Sequence, residues 1–315
     1  MDLHDIRAAA TRIAHVAVRT PLVRCGDLWV KPESLQRVGS FKIRGAFNAV
    51  AALRPSGVVT HSSGNHGQAL AYAAREAGVP CTVVVPEGTP RVKVEAIRSF
   101  GATLVVVPPD QRVIAAEKHA ADQGLTLIPP YDHPAVIAGQ GTIGLEIIAD
   151  LPDVEVVVVP VSGGGLASGI ATAVKELSPA TRVYGVEPEL AADAAESLAA
   201  GRRVSWEAAR TFRTIADGLR ADLSDLTFSI LRARLDGIVT VSEEEIRAAM
   251  RHLAFRARLV AEPSGAVATA AVLAGKVEAG RVPAGRTVAI VSGGNVDPDL
   301  YREALNEEEP AGLRR

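Results

Sequence analysis

Short runs of β-branched residues alternate with alanine-rich segments through most of this 315-residue chain, and this alternation limits the folds open to it. Six apolar runs predict strands, at 57–60, 82–85, 103–107, 156–159, 183–186 and 287–291. Segments with helical periodicity lie between them, including 68–77, 92–100, 111–122 and 166–177. Strands that are apolar on both faces are typical of sheets covered by helices on each side. The pattern therefore predicts an α/β fold with open, mostly parallel sheets.

The composition argues against several classes of protein. Hydrophobic residues make up 48% of the chain, and the formal net charge of −2 gives no electrostatic reason to bind nucleic acid or an anionic membrane. The two cysteines, Cys25 and Cys81, cannot build a disulfide framework. No apolar stretch reaches the roughly 18 residues of a membrane-spanning helix, and the acidic start lacks the features of a signal peptide. We expect a cytoplasmic protein whose partner is a small molecule.

Three segments rich in glycine and polar residues follow predicted strands, namely His61–Gly67, Ser162–Leu166 and Ser292–Asn295. In open parallel sheets, ligands bind in the loops at the carboxyl ends of strands, often at helix N-termini. The glycines at 163–165 allow successive backbone N–H groups to turn toward one anion, which suits a phosphate. A tight turn between a strand and a helix explains the same glycines equally well.

Two further segments contain residue types that suit chemistry. Lys42 lies between Phe41 and Ile43, and burial would lower the pKa of its ammonium group and leave a nucleophilic amine. A surface lysine with apolar neighbours is the simpler interpretation of these three residues alone. The segment Ser62–His66 offers hydroxyl, amide and N–H groups to a carboxylate, although an ordinary N-cap cluster explains it as well.

Taken together and in this order, the segments resemble the fold-type II pyridoxal-phosphate (PLP) enzymes, which share the fold of tryptophan synthase β. The similar motifs are Ser-Phe-Lys-Ile-Arg-Gly-Ala at 40–46, Ser-Ser-Gly-Asn-His-Gly at 62–67, Gly-Gly-Gly-Leu at 163–166 and Ser-Gly-Gly-Asn at 292–295. Shorter similar stretches lie at 134–142, 215–218 and 262–265, so the resemblance covers nearly the whole chain. Within these enzymes the chain looks most like the serine/threonine dehydratases and serine racemases.

The resemblance implies two open parallel-sheet domains with PLP between them. Residues 1–56 and 133–315 would form a large PLP-binding domain, and residues 57–132 a small, mobile domain. Closure of the small domain would bring the carboxylate-binding loop to the cofactor and exclude water. A homodimer is the assembly that the resemblance implies.

The resemblance also implies a role for each matching residue. Lys42 would hold PLP through a Schiff base and then remove the substrate's Cα proton as the general base, while Ser63 would be a second catalytic group on the opposite face of PLP. The cofactor contacts would come from Phe41, Lys42, Asn65, Ser162, Gly163, Gly164, Gly165, Leu166, Gly218 and Ser292. The substrate contacts would come from Ser62, Ser63, Asn65, His66 and Arg112.

A metal site is implied in the same way. The segment Val186–Asp193 resembles the divalent-cation loop of these enzymes, with ligands from the Glu187 and Asp193 carboxylates and the Ala191 carbonyl. Such oxygen ligands suit Mg²⁺ or Ca²⁺. An acidic surface turn is the interpretation that the residues alone favour.

The reaction that the resemblance implies is β-elimination of L-threonine or L-serine to a 2-oxo acid and ammonia. Serine racemase is an alternative because Ser63 stands where many dehydratases have alanine, whereas Ala221 stands where racemases have serine. A 3-hydroxyaspartate dehydratase is another alternative. A silent small-molecule-binding protein on the same fold is the non-enzymatic one, and Lys42, Ser292 and the glycine loop argue against it.

Overall fold

The computed structural model describes residues 1–62, 64–89, 91–277 and 285–306, and these ranges form ten strands and thirteen α-helices in two sheet domains. The strands are β1 Val23–Cys25, β2 Leu28–Pro32, β3 Val58–Thr60, β4 Cys81–Pro86, β5 Thr103–Val107, β6 Thr126–Leu127, β7 Val156–Pro160, β8 Arg182–Pro188, β9 Gly237–Val241 and β10 Thr287–Val291. The helices are α1 Leu3–Ile13, α2 Lys42–Leu53, α3 Asn65–Ala77, α4 Arg91–Ser99, α5 Arg112–Gln123, α6 Pro134–Asp150, α7 Gly165–Leu177, α8 Asp193–Ala200, α9 Ala208–Thr211, α10 Asp225–Arg234, α11 Glu243–His252, α12 Pro263–Leu273 and α13 Pro298–Asn306.

The larger sheet has six strands in the order β1-β2-β10-β7-β8-β9. All are parallel except β1, which runs antiparallel to β2. The central strands β7 and β10 are buried at every residue, because helices cover both faces of the sheet at this point. This burial is why both strands are continuous apolar runs in the sequence.

The smaller sheet has four parallel strands in the order β5-β4-β3-β6. All six strands predicted from the sequence are present in the two sheets, but the expectation that each is covered on both faces is wrong for β5. Val106 of this strand is 58% exposed. The reason is its place at the sheet edge, since α5 packs over β3 and β4.

The helix α2 connects the two halves of the molecule, because it packs on both α6 and α3. Its residues Ile43, Phe47 and Val50 share one hydrophobic cluster with Leu70 of α3 and Val83 of β4. The first residue of α2 is therefore held between the two sheets. The strands of the smaller sheet all fall within residues 58–127; the boundaries and the mobility of the small domain remain predictions. Among the described residues, no helix combines the length and the apolar character needed to cross a membrane.

Candidate active site

Lys42 lies at the N-terminus of α2, between the two sheets. Its Nζ donates a hydrogen bond to the Pro130 carbonyl oxygen at 2.8 Å and lies 4.9 Å from the centre of the Phe41 ring. Burial lowers the pKa of the Lys42 amine to about 8, and the negative charge of Glu262 opposes this shift. At a pKa of about 8, roughly a tenth of the amine is neutral at pH 7, far more than for an ordinary lysine, and the neutral form is the one that a nucleophile or a general base requires.

The glycine loop Ser162–Gly165 joins β7 to α7 and has the geometry of an anion cradle. Gly164 has a φ of +86°, a conformation that glycine adopts without strain. A Cβ added to Gly163 would lie 2.5 Å from the Tyr131 ring, so only glycine fits there. The first N–H groups of α7 and the positive end of its dipole lie at the loop. This arrangement fits a phosphate group.

The predicted cofactor residues Gly218 and Ser292 are joined through Ser264, in the first turn of α12. The Gly218 N–H donates to Ser264 Oγ at 2.9 Å, and the Ser292 hydroxyl donates to the Ser264 carbonyl oxygen at 3.3 Å. The Ser292 carbonyl oxygen in turn accepts a hydrogen bond from the Phe41 N–H at 3.0 Å. The loop after β10 is thereby attached directly to the residue that precedes Lys42.

The Ser162 hydroxyl, which was predicted to bind phosphate, has a partner within the protein. Its Oγ accepts a hydrogen bond from the Ala221 N–H at 3.2 Å. Ser162 also has a positive φ of 54°, which turns the backbone into the glycine loop. We interpret its side chain as a support for that loop.

The N-terminus of α3 carries the predicted carboxylate-binding residues. Asn65 Nδ2 donates to Glu262 Oε1 at 2.7 Å, and Asn65 Oδ1 accepts from Asn295 Nδ2 at 2.8 Å. Ser62 Oγ accepts a long hydrogen bond of 3.4 Å from the Gly64 N–H. Ser63 lies outside the residues that the structure describes, so its predicted role remains a prediction.

His66 is buried, and its hydrogen bond defines what its ring can offer. Nε2 lies 2.9 Å from the Ile128 carbonyl oxygen, which can only accept, so Nε2 carries the hydrogen. Burial and the nearby charge of Lys42 lower the pKa of His66 to about 3, so the ring is neutral. Nδ1 is then a bare acceptor, and it has no hydrogen-bond partner among the described residues. Any contact of His66 with a carboxylate would therefore come from its backbone N–H.

The neutral state of His66 predicts a specific loss of stability in acid. Between pH 6.5 and 3 the unfolded chain holds a proton on His66 that the folded protein does not, so stability falls as the pH falls through this window. We expect His66→Gln to reduce the stability lost between pH 7 and pH 5 by about 2 kcal/mol. Urea unfolding of both proteins at the two pH values measures this difference; equal losses would contradict it.

The predicted metal loop runs from the end of β8, which contains Glu187, to Asp193 at the start of α8, and both of these carboxylates are buried. Burial and the charge of Asp193 raise the pKa of Glu187 well above its usual value, and burial and the charge of Asp222 raise the pKa of Asp193 to about 7. Glu187 Oε2 accepts from the Ala195 N–H at 2.9 Å, whereas Glu187 Oε1 and Asp193 Oδ2 have no hydrogen-bond partner among the described atoms. Ala191 lies between them in sequence and is buried.

Two buried carboxylate oxygens without partners are suitable ligands for a hard cation. In the described ranges, no three His, Cys, Asp or Glu side chains come together as a metal-binding group. A cation in this loop would therefore need backbone carbonyls and water to complete its coordination.

Arg112, a predicted substrate contact, begins α5 on the four-stranded sheet. Its positive charge adds to burial in lowering the pKa of His61, the residue that follows β3. It therefore lies near the start of the carboxylate-binding loop. Within the described part of the chain, it does not take part in the hydrogen bonds that join the other predicted residues.

Sequence reasoning missed the segment Ile128–Tyr131, which follows β6. Its carbonyl oxygens accept from His66 and Lys42, and its Tyr131 ring packs against the glycine loop. A signal was present in the proline pair Pro129-Pro130, which ends the short apolar run at 127–128, but the two-residue strand before it was not recognised. Glu262 was also missed as a site residue, although its motif was noted.

The residues brought together suit PLP. The half-buried amine of Lys42 can attach an aldehyde, and the glycine loop can hold a phosphate. Asn65 and Ser292 place an amide and a neutral hydroxyl in the same network. The contacts that connect them run from Lys42 to the 128–131 segment and from there to the glycine loop. We conclude that the site fits this cofactor.

Comparisons with known proteins agree with this geometry. The family model described as pyridoxal-phosphate dependent enzyme matches residues 13–293. An L-threonine ammonia-lyase from Thermotoga maritima is 42% identical over 98% of this chain and 79% of its own length. An L-threo-3-hydroxyaspartate ammonia-lyase from Saccharomyces cerevisiae is 40% identical over 97% of this chain and 96% of its own length.

Solved structures show the same similarity. A threonine deaminase from the organism abbreviated T.th. superposes with a TM-score of 0.89 at 46% identity, covering 94% of this chain and 99% of the other. Maize serine racemase superposes with a TM-score of 0.89 at 37% identity, covering 96% of each chain. Two different reactions are therefore named among proteins that are similar over nearly their full lengths.

Proposed function

The chain belongs to the family of pyridoxal-phosphate dependent enzymes, and from this premise we propose that it eliminates the β-hydroxyl group of L-threonine or L-serine. The prediction of a fold-type II PLP enzyme of the dehydratase and racemase group is confirmed. The observation that carries the proposed reaction is the half-buried Lys42 amine, with its lowered pKa, together with a glycine cradle that fits the phosphate. The products would be a 2-oxo acid and ammonia.

The proposed mechanism assigns the proton transfer to Lys42. Bound PLP supplies an electron sink for negative charge at the substrate's Cα. Lys42, neutral after release from the cofactor, takes the Cα proton on Nζ. The electron pair left at Cα expels the β-hydroxyl group, which takes up a proton and leaves as water. The enamine product becomes an imine by proton transfer to carbon, and water hydrolyses its C=N bond to give the 2-oxo acid and ammonia.

The other residues bind and orient. The glycine loop and the N-terminus of α7 hold the phosphate, and the N-terminal N–H groups of α3 hold the substrate carboxylate. Ser292 would turn its hydroxyl hydrogen from the Ser264 carbonyl oxygen to the pyridine nitrogen; a neutral partner of this kind does not enforce protonation of the ring. Movement of residues 57–132 toward the larger domain would exclude water from the reacting atoms.

Serine racemase is the second candidate, supported by Ser63 and by the racemase similarity of the chain. A hydroxyl group on the face of PLP opposite Lys42 could return a proton to Cα from that side. Ala221, which replaces a serine of the racemases, favours elimination as the main reaction. A 3-hydroxyaspartate dehydratase has support from the yeast relative.

The decisive experiment assays oxo acid and amino-acid chirality together. Purified protein with PLP and Mg²⁺ is incubated separately with L-serine, D-serine, L-threonine and threo-3-hydroxyaspartate. Oxo acid from L-threonine or L-serine without the opposite enantiomer supports the dehydratase. If D-serine forms at a comparable rate, and if Ser63→Ala loses this activity but keeps elimination, the protein is a serine racemase and the proposed dehydratase function is wrong. PLP binding without turnover of any of these compounds would overturn the proposed reaction and leave a binding protein.

We also propose that the loop between Glu187 and Asp193 binds Mg²⁺ or Ca²⁺ and stabilises the fold. The support is the pair of buried carboxylate oxygens that lack hydrogen-bond partners. A cation that binds only the folded state raises stability by RT ln(1 + [L]/Kd), which is about 2.7 kcal/mol at a hundredfold excess over Kd.

This site makes a thermal prediction. We expect Mg²⁺ or Ca²⁺ to raise the melting temperature of EDTA-treated protein by several degrees, and Asp193→Asn to abolish the increase. Asp225→Asn is the matched control, because Asp225 is a carboxylate whose side chain is 93% exposed, and it should keep the increase. The same increase in both variants would show that the cation binds elsewhere.

The remaining proposals concern assembly and location. We propose a homodimer in the cytoplasm, supported by the resemblance to the dehydratases and racemases and by the composition of the chain. The described residues contain no helix suited to a membrane.

A further inference from the structure

Glu262 directly precedes α12, and its carboxyl group is bonded to a different helix. It is the N-cap residue of α12, but its carboxylate makes no capping hydrogen bond to that helix. The side chains that ordinarily accept from the exposed N–H groups of a first turn are the shorter ones of aspartate, asparagine, serine and threonine. Here the carboxyl group is directed away from its own helix, to the N-terminus of α3.

The partner of Glu262 on α3 is the amide of Asn65. Glu262 Oε1 accepts from Asn65 Nδ2 at 2.7 Å, while Asn295 Nδ2 donates to Asn65 Oδ1 at 2.8 Å. An acceptor on one end of the amide and a donor on the other allow one orientation only, because a flipped amide would face each neighbour with the wrong atom. One hydrogen on Nδ2 and one lone pair on Oδ1 remain available for a ligand.

The carboxyl group is held rigidly. Glu262 is 5% exposed, and its N–H donates to the Gly293 carbonyl oxygen at 3.0 Å. A Cβ added to Gly293 would lie 2.2 Å from Glu262 Oε1, so the carboxyl packs against the backbone next to Ser292. Glu262 therefore contacts both the loop that carries Ser292 and the helix that carries Asn65.

The charges around Glu262 come from three other elements. Burial and the charge of Asp217 raise the pKa of Glu262 to about 8, and Asn65, Lys93 and Lys42 oppose this. Asp217 is itself paired with Lys93 of α4. An oxygen of the carboxyl group can accept from Asn65 in either protonation state, so the contact does not depend on ionisation.

We propose that Glu262 is a positioning residue that orients the Asn65 amide for the ring of the cofactor and thereby sets the affinity of the site for PLP. This inference rests on the proposed function only in taking PLP as the ligand of the site. The bond joins the two domains, because Asn65 begins the helix after β3, whereas Glu262 precedes α12, which packs on β10 of the larger sheet. Asn295 lies in the loop that follows β10. Glu262 does not need to touch the substrate.

The test measures the dissociation constant of PLP by absorbance titration of cofactor-free protein. We expect Glu262→Ala to weaken PLP binding about tenfold or more, because Asn65 Nδ2 loses a buried acceptor. Glu262→Gln keeps an acceptor oxygen in the same place and should restore the affinity to within about threefold of wild type. Urea unfolding of each cofactor-free variant records its stability separately.

A double-mutant cycle with Asn65→Ala separates positioning from general support. If Glu262 acts through Asn65, Glu262→Ala has little further effect on PLP affinity when Asn65 is already alanine. The inference is overturned if the losses of PLP affinity caused by Glu262→Ala and Asn65→Ala are additive. It is also overturned if Glu262→Gln binds PLP as weakly as Glu262→Ala does. Wild-type protein that binds no PLP would instead refute the proposed function itself, so the two failures can be distinguished.

Discussion

Replacement of Lys42 by alanine is expected to lower turnover of the active substrate by at least about 10³-fold, since under the proposed mechanism the variant would lose both the covalent attachment of the cofactor and the general base. The visible absorption band of lysine-linked PLP should disappear even when PLP is in excess. Lys42→Arg should not rescue activity, because a guanidinium group stays charged at every pH that the protein tolerates and cannot accept the Cα proton. Steady-state kinetics and absorbance spectra of the same samples measure both effects.

The control for Lys42 is an exposed lysine. Lys118→Ala removes a side chain that is 73% exposed and pairs with Asp122 one turn away on the same helix; a surface pair of this kind contributes little to stability. We expect wild-type spectra and kinetics from this variant. Retained turnover in Lys42→Ala, with an unchanged spectrum, would mean that a different lysine serves the reaction and that the assignment of the site is wrong.

The sequence was sufficient to predict those features of the fold and of the site that are determined by residues close together along the chain. The strands β7 and β10 are buried on both faces and were recognised as unbroken apolar runs. The glycine loop was placed at a helix N-terminus because a strand precedes it and an alanine-rich segment follows. In both cases local pattern and tertiary structure impose the same requirement.

The strand β2 shows why other parts of the fold could not be predicted. It contains Lys31, which is fully buried, and a lysine in a short apolar run argues against a central strand. Its charge is balanced by Glu146 at 2.6 Å, and its amine also donates to the Thr20 carbonyl oxygen. Glu146 belongs to α6, far along the chain, so nothing near Lys31 in sequence could reveal the ion pair.

The candidate site was incomplete for the same reason. The Pro130 carbonyl oxygen accepts from Lys42 across 88 positions of sequence, and Glu262 accepts from Asn65 across 197. Every residue type has a backbone carbonyl, so the sequence cannot single out the one at Pro130. Nothing near Glu262 in the sequence indicates that its carboxyl group contacts Asn65. Sequence motifs identified the residues with distinctive chemistry, whereas the residues that hold them in position became visible only in three dimensions.

Gly164→Ala is expected to have the largest effect of any substitution in the phosphate cradle. A non-glycine residue at a φ of +86° costs about 1–2 kcal/mol. The added Cβ would also lie 2.8 Å from Thr227 Cβ, and such overpacking costs about 1–3 kcal/mol more. Thr227 cannot easily yield, because its hydroxyl and N–H are both bonded to Ser224 at the start of α10. The loop must therefore move, which displaces the N–H groups at the start of α7.

Gly124→Ala is the matched variant, because Gly124 also has a positive φ, of 64°, and ends α5 with nothing within 4 Å of an added Cβ. Its free energy of unfolding, measured with urea, should fall only by the backbone contribution of about 1–2 kcal/mol, and it should bind PLP as wild type does. The free energy of unfolding of Gly164→Ala should fall by about 2–5 kcal/mol, and its affinity for PLP should fall about tenfold or more. Equal losses of stability in the two variants, with PLP affinity unchanged in both, would mean that the 162–165 loop turns the chain between β7 and α7 without holding the phosphate.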